Sequence, residues 1–176
     1  MHNLTFIQVT DSNPSICAQF QQIMTQYILE INEHDENPLP EQFIPKVIKS
    51  LISLQGPQDR HLELCFHEDQ PIGFFSGKMD HPDHKGFIKP GYAYIMDFYI
   101  MPQHRRKGYA KSMFLHLEML FAKHGAKRMW LTADPVTGKP FWEAVGFINT
   151  RTKSPENNYD IYEKEISSVQ NIEGYS

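Results

Sequence analysis

A chain of 176 residues, 40% hydrophobic and 22% charged, holds enough apolar material for one soluble globular domain with its own core. Its formal charge of −4 at pH 7 argues against a nucleic-acid binder, whose footprint is basic, and leans weakly toward a cationic ligand. No apolar run is long enough to span a membrane, and MHNLTFIQVTDSN lacks the basic-then-apolar pattern of a secretion signal, so a cytoplasmic protein is expected.

In chain order, LTFIQV alternates apolar and polar residues and predicts a first strand. Asn13-Pro14 then forms a helix start, with Asn as cap and Pro in the first turn. Ile16, Phe20, Ile23, Tyr27 and Ile31 follow at helical spacing, and NEHDENPLP is a proline-punctuated loop. A second helix is predicted over Glu41 to Leu54, stopped by Gly56-Pro57. HLELCFHED and QPIGFFSGKMD are two strands turning at Asp69-Gln70, and the excursion HPDHKGFIKPG leads to the strand YAYIMDFYI. A helix begins near Gly108, with Ala110, Met113, Phe114, Leu117, Leu120 and Phe121 on one face, and closes at His124-Gly125. KRMWLTAD is a strand, GKPFWEAV a short helix, and FINTRT with NYDIYEKEI the last pair of strands, leaving 167–176 as a loose tail. The order predicts a mixed α/β or α+β layer fold in a single domain over 1–166. Cys17 and Cys65 sit in apolar stretches without CxxC spacing and are expected as buried thiols in a reducing compartment.

The junction Arg105-Arg106-Lys107-Gly108-Tyr109-Ala110 gathers three cations and a glycine where a strand hands over to a helix. A helix start has unpaired backbone N–H groups and the positive end of the helix dipole, so it holds an anion without a dedicated side chain. Gly108 lets the backbone curl toward such a ligand, and the small Ala110 leaves the approach open. A merely solvated basic turn is the plain alternative, but cations there oppose the dipole unless an anion joins them. Neither a P-loop, G-x-x-x-x-G-K-[ST], nor a dinucleotide fingerprint, G-x-G-x-x-G, is present at this junction.

Arg105-x-x-Gly108-x-Ala110 resembles the acetyl-CoA signature R/Q-x-x-G-x-G/A of the GNAT acyltransferase superfamily. FWEAVGF, Phe141 to Phe147, is similar to that family's "LYEKLGF" segment, and KRMWLTAD is similar to the strand before it. The resemblance covers nearly the whole chain. It implies a central mixed, mostly antiparallel sheet with two splayed parallel strands, flanked by about four helices. It also implies acetyl-CoA as acyl donor, its pantetheine arm paired with the backbone of Phe98, Tyr99 and Ile100. Its pyrophosphate would lie on the N–H groups of Arg105, Arg106, Lys107, Gly108, Tyr109 and Ala110, with Lys111. The acceptor implied is a primary amine of a small molecule or a protein, and relatives often dimerise.

Transfer from a thioester to an amine needs positioning, loss of the amine's proton and a donor for the developing oxyanion. Direct attack needs no covalent enzyme intermediate, so neither cysteine is assigned as nucleophile. Asp97 lies in IMDFYI, which resembles "LEDFFV" of the diamine acetyltransferases, where a glutamate stands at the position of Met96. Asp97 is the candidate that orients or deprotonates the amine; the alternative is a carboxylate bonded to a neighbouring backbone group or tyrosine. Trp142 stands where relatives carry a tyrosine that protonates the leaving thiolate. Indole N–H is a poor acid, so solvent or another residue would take that role, with Trp142 packing on the cofactor arm. Tyr92, Tyr94, Tyr159 and Tyr162 read as packing residues near an acceptor cleft. Asp80, His81, Asp83 and His84 are ligand-type residues on a Pro/Gly loop with no second set, so no metal is expected and the loop reads as a solvated lip. A non-catalytic acyl-CoA-binding module is the rival from another class, and transfer to a hydroxyl or of a longer acyl group is a third option.

Overall fold

In the computed structural model, residues 2–136 and 138–167 are described; most of the stretch expected as a tail, 168–176, lies outside them. Among the described residues seven strands and four α-helices follow in the order β1 (Leu4–Gln8), α1 (Pro14–Asn32), α2 (Ile44–Ser53), β2 (Arg60–His67), β3 (Gln70–Met79), β4 (Ala93–Ile100), α3 (Tyr109–Lys123), β5 (Arg128–Thr132), α4 (Lys139–Ala144), β6 (Ile148–Lys153) and β7 (Asp160–Glu165). The sheet order is β1-β2-β3-β4-β5-β7-β6. β1 with β2, β5 with β7 and β6 with β7 pair antiparallel, whereas β4 and β5 run parallel. The mixed α+β layer fold predicted by the element order, and the mostly antiparallel sheet with a parallel pair implied by the family resemblance, are the ones observed. The predicted helix over 41–54 opens as a 3₁₀ turn, Glu41–Phe43, and becomes α-helical only at Ile44. Pro45 falls in the first α-turn, where its missing N–H costs nothing.

The chain divides into two compact units. In the first, residues 1–76 with 97–113, the Asn13 side chain caps α1 by accepting from Ile16 N at 3.2 Å. The stripe that follows buries Ile16, Phe20, Ile23, Met24 and Ile28. These residues pack with Ile44, Ile48, Leu62, Leu64, Phe66, Phe74 and Tyr99 into one core. Burying such a side chain contributes about 1.5–3 kcal/mol, so this stripe holds α1 in place far more than its propensity does.

In the second unit, residues 77–96 with 114–176, Phe114, Leu117, Phe121, Met129, Trp130, Leu131, Phe147, Ile161 and Tyr162 are buried. The excursion 81–91 departs from the expected solvated lip at its root, because Asp80 is only 1% exposed. Its Oδ2 accepts from Trp130 Nε1 at 2.7 Å and from Lys89 N at 2.9 Å. Main-chain bonds from Asp80 N to Tyr92 O and from Gly91 N to Asp80 O close the neck of the loop. A buried carboxylate needs donors, and a tryptophan fifty residues away along the chain supplies one of them. Among the described residues no helix is long and apolar enough to cross a membrane.

Candidate active site

The parallel pair β4/β5 is registered at two rungs, Ala93 with Met129 and Tyr94 with Trp130. The last rung carries a ring stack, Tyr94 on Trp130 at 4.0 Å and 9°. Pairing ends there although β4 runs on to Ile100 and β5 to Thr132. Further along β4, a Cβ on Gly73 would sit 2.1 Å from the Tyr99 carbonyl oxygen, so β3 lies tightly against β4. Phe98, Tyr99 and Ile100 follow the last of these rungs along the strand. The Ile100 carbonyl is already engaged: it accepts from Arg105 Nε at 2.8 Å.

After β4, a 3₁₀ turn (Pro102–His104) leads to a loop in which Arg106 (φ 61°) and Gly108 (φ 82°) both adopt left-handed backbone. Only glycine takes that conformation freely, so its presence at Arg106 marks a built turn rather than a slack one. The first helical bond of α3 runs from Ser112 N to Gly108 O, which leaves the amides of Tyr109, Ala110 and Lys111 without partners inside the helix. Arg106, Lys107 and Lys111 are exposed around these amides, and Tyr109 is buried against the rings of His2 and His67 at 4.6 and 4.9 Å. His104 lies nearby, its imidazole pushed down by burial, with Lys107 and His67 adding to the effect. A Cβ on Gly108 would approach the exposed imidazole of His2, with Nε2 2.9 Å away. The turn combines helix-start N–H groups with exposed cations in the neighbouring sequence, a chemistry that suits a diphosphate.

Arg105 stands apart from that rim. Its guanidinium grips Glu30 on α1 with both carboxylate oxygens, at 2.7 and 2.9 Å, and lies over the Tyr99 ring. Tyr99 Oη completes the group by donating to Glu30 Oε2 at 2.8 Å. Its phenol is held well above the ordinary range by burial and by the Glu30 carboxylate. The Arg105 backbone N–H bonds to Pro102 O at 3.2 Å. This residue fastens the turn to α1 and β4.

Asp97 lines an open cavity of about 390 Å³ in the first unit. Met24, Tyr27, Ile28 and Ile31 of α1, Leu39 and Pro40 of the loop, and Val47 of α2 supply its apolar walls. The Asp97 carboxylate accepts from Ser76 Oγ at 2.6 Å and from the Tyr27 hydroxyl. Burial pushes its pKa up, and these two hydrogen bonds oppose the rise without cancelling it. Both readings of Asp97 thus meet in one place, a tyrosine-bonded strand carboxylate that also faces a cavity. Tyr27 and Ser76 went unassigned in the sequence: Tyr27 reads as part of the α1 stripe, and Ser76 lies 21 residues from Asp97.

Trp142 is buried in the second unit, in edge-to-face contact with Phe114, Phe141 and Phe147 at 6.1, 5.0 and 5.3 Å. Tyr162, 1% exposed, donates to Glu143 Oε1 at 3.2 Å, and Tyr159 is 37% exposed. Burial pushes the Cys65 thiol up to about 12, with Glu63 adding to it, so it stays protonated and inert. Cys17 Sγ donates to Thr10 O at 2.9 Å. Among the described residues no three His, Cys, Asp or Glu side chains gather as a metal site requires.

Comparison with known proteins accounts for this arrangement. The model of the acetyltransferase (GNAT) family matches residues 22–147, and the chain belongs to that family. A search of curated protein sequences returned no match. Among solved structures, the PaiA N-acetyltransferase from Thermoplasma acidophilum, in complex with coenzyme A, superposes with a TM-score of 0.68 at 16% identity, covering 93% of this chain and 99% of that one. An acetyltransferase from Thermus thermophilus gives 0.65 at 19% identity, covering 94% and 99%. The ribosomal-protein-S18-alanine N-acetyltransferase from Escherichia coli gives 0.60 at 15%, covering 94% and 96%. At these identities the likeness is one of fold.

Proposed function

We propose that this chain moves an acetyl group from acetyl-CoA to a primary amine of a small molecule or a protein. The observation that carries the reading is the order along one strand. Asp97 faces a cavity, Phe98 to Ile100 follow along β4, and the left-handed turn that opens α3 comes next. When bound, acetyl-CoA supplies a thioester carbon that an amine attacks directly, with no covalent enzyme intermediate. The amides of Arg106 to Lys111 and the exposed Arg106, Lys107 and Lys111 side chains would hold its diphosphate. Asp97, with its raised pKa, is suited to hold an ammonium group and take its proton, directly or through water. Ser76 and Tyr27 fix the carboxylate in place for that step. With no tyrosine at position 142, solvent protonates the departing thiolate.

Trp142 favours a second reading, a non-catalytic module that binds acyl-CoA, because the residue in the place of the family's acid cannot donate a proton at neutral pH. Calorimetry with CoA, together with a thiol-release assay across an amine panel, separates the two. Acetyl transfer requires both binding and thiol release. Binding of CoA with no thiol release from any amine would leave the module.

A further inference from the structure

We propose that the acceptor is a small monoamine carried on a compact apolar group, its ammonium on Asp97 and its apolar body against Ile28, Ile31, Leu39 and Val47. The inference rests on the acyl-transfer reading and narrows its substrate. Three features of the cavity carry it.

The first is charge. Of the twelve residues around the cavity two are carboxylates, Asp97 and Asp35, and none is Lys, Arg or His. The nearby Glu30 is already neutralised by Arg105; Asp35 is exposed and its Oδ1 accepts from Asn37 N at 2.9 Å, which leaves Asp97 as the less exposed carboxylate facing the cavity. A single positive charge complements it.

The second is the wall. Ile31 remains 36% exposed although it lines the cavity, and Leu39 and Val47 are half-buried. An apolar ligand would remove this surface from water, and such cavities, roughly 300–1,000 Å³ with a few placed polar groups, are the usual form of a small-molecule site. At about 390 Å³ this one is at the compact end. A second ammonium on this wall, or the hydroxyls of an amino sugar, would lie against isoleucine, leucine and valine without hydrogen-bond partners, the other carboxylate, Asp35, being exposed.

The third is the loop side. Asn32 would be the natural partner for a peptide backbone, but both of its amide atoms are already engaged by Leu39. Its Nδ2 donates to Leu39 O at 2.8 Å, and its Oδ1 accepts from Leu39 N at 3.0 Å. That pair of bonds clips the loop 33–38 shut against α1 and leaves an extended peptide little to pair with. The lining therefore selects a small molecule over a polypeptide.

The test compares 2-phenylethylamine with spermidine, glucosamine and a short lysine peptide, by thiol release with acetyl-CoA and by calorimetry of each amine alone. The expected result is a kcat/KM for 2-phenylethylamine at least about tenfold above the other three, because groups left unpaired in an apolar pocket are penalised by that much or more. Val47→Asn, a half-buried position outside the core cluster, should raise KM for 2-phenylethylamine about tenfold while the CoA affinity and circular dichroism stay unchanged. Spermidine, glucosamine or peptide turned over as efficiently as 2-phenylethylamine would overturn the inference and leave acetyl transfer standing. An unchanged KM in Val47→Asn would overturn it too. Should no amine release thiol, acetyl transfer fails, and calorimetry decides the cavity. Binding of 2-phenylethylamine that weakens in Val47→Asn supports the assignment, and no binding sinks it.

Discussion

Asp97 is the residue on which the proposed activity and stability pull in opposite directions. Burial raises its pKa, so the folded state disfavours the carboxylate. A raised carboxyl pKa contributes stability that is fully present below the unfolded value, about 3.9, and is lost as pH rises through the folded one. Ionising it in the folded state therefore carries a cost that the neutral form does not. Asp97→Asn cannot ionise, and its amide oxygen can still accept from Ser76. The variant should cut thiol release by about 10²-fold, leave the CoA affinity unchanged, and lack the loss of stability that wild type shows as pH rises through the Asp97 titration, read as melting temperature against pH. The acid limb of kcat/KM should lie above the ordinary carboxylate range in wild type and vanish in the variant. Turnover equal to wild type, read in the same assay, would remove Asp97 from the chemistry. The residue itself was legible, because IMDFYI places a carboxylate in the middle of an apolar strand. Its partners were not. Ser76 meets it only through strand pairing, and Tyr27 through the packing of α1, neither of which leaves a local pattern.

Among the elements, β3 shows where sequence reading stops. QPIGFFSGKMD predicts a strand, but nothing in it says what Gly73 faces. In the fold a Cβ there would lie 2.1 Å from the Tyr99 carbonyl oxygen and 3.1 Å from the Ile100 Cα, both main-chain atoms that cannot rotate away. Gly73→Ala should cost about 1–3 kcal/mol, read as a lower denaturant midpoint at constant m-value. A midpoint equal to wild type would mean that β3 and β4 separate freely at this point. The β6/β7 pair yields a second prediction, through charge. Asp160 at the start of β7 is pushed down to about 2, by hydrogen bonds from Lys153 and Lys139 above all, with a third from Asn149. A depressed carboxyl pKa contributes stability present above the unfolded value and lost as pH falls through the folded one. Asp160→Asn should therefore lower the melting temperature at pH 7 and bring it level with wild type near pH 2. A constant difference at all pH values would show that shape, not charge, matters there. The strands FINTRT and NYDIYEKEI were readable from alternation, but this cluster forms only across their register, which a single sequence does not display.

At the scale of the whole molecule the legible part was the order of motifs. R-x-x-G-x-A after one strand and FWEAVGF after the next are local, and each holds a left-handed glycine, Gly108 just before α3 and Gly146 just after α4. What stayed hidden was the partition of the basic cluster. Arg105 spends its charge on Glu30, seventy-five residues back along the chain, while Arg106, Lys107 and Lys111 remain exposed around the turn. This division makes a test of the cradle that does not depend on any acceptor. A ligand that binds only the folded state stabilises it by about 2.7 kcal/mol at a hundred times its Kd, which for a chain of this size raises the melting temperature by roughly 5–10 °C. CoA at that concentration should produce such a shift in wild type and in Asp97→Asn alike. Gly108→Ala puts an L side chain at φ 82° and crowds only the tip of the exposed His2, so it should fold with a loss of about 1–2 kcal/mol. Its added methyl enters the approach to the amides of the turn, and the CoA shift should shrink to a small fraction of the wild-type value. A full shift in Gly108→Ala would place the diphosphate elsewhere and take the cofactor assignment down. A full shift in Asp97→Asn with thiol release lost separates the grip on the donor from the activation of the acceptor, which a module that only binds acyl-CoA does not need.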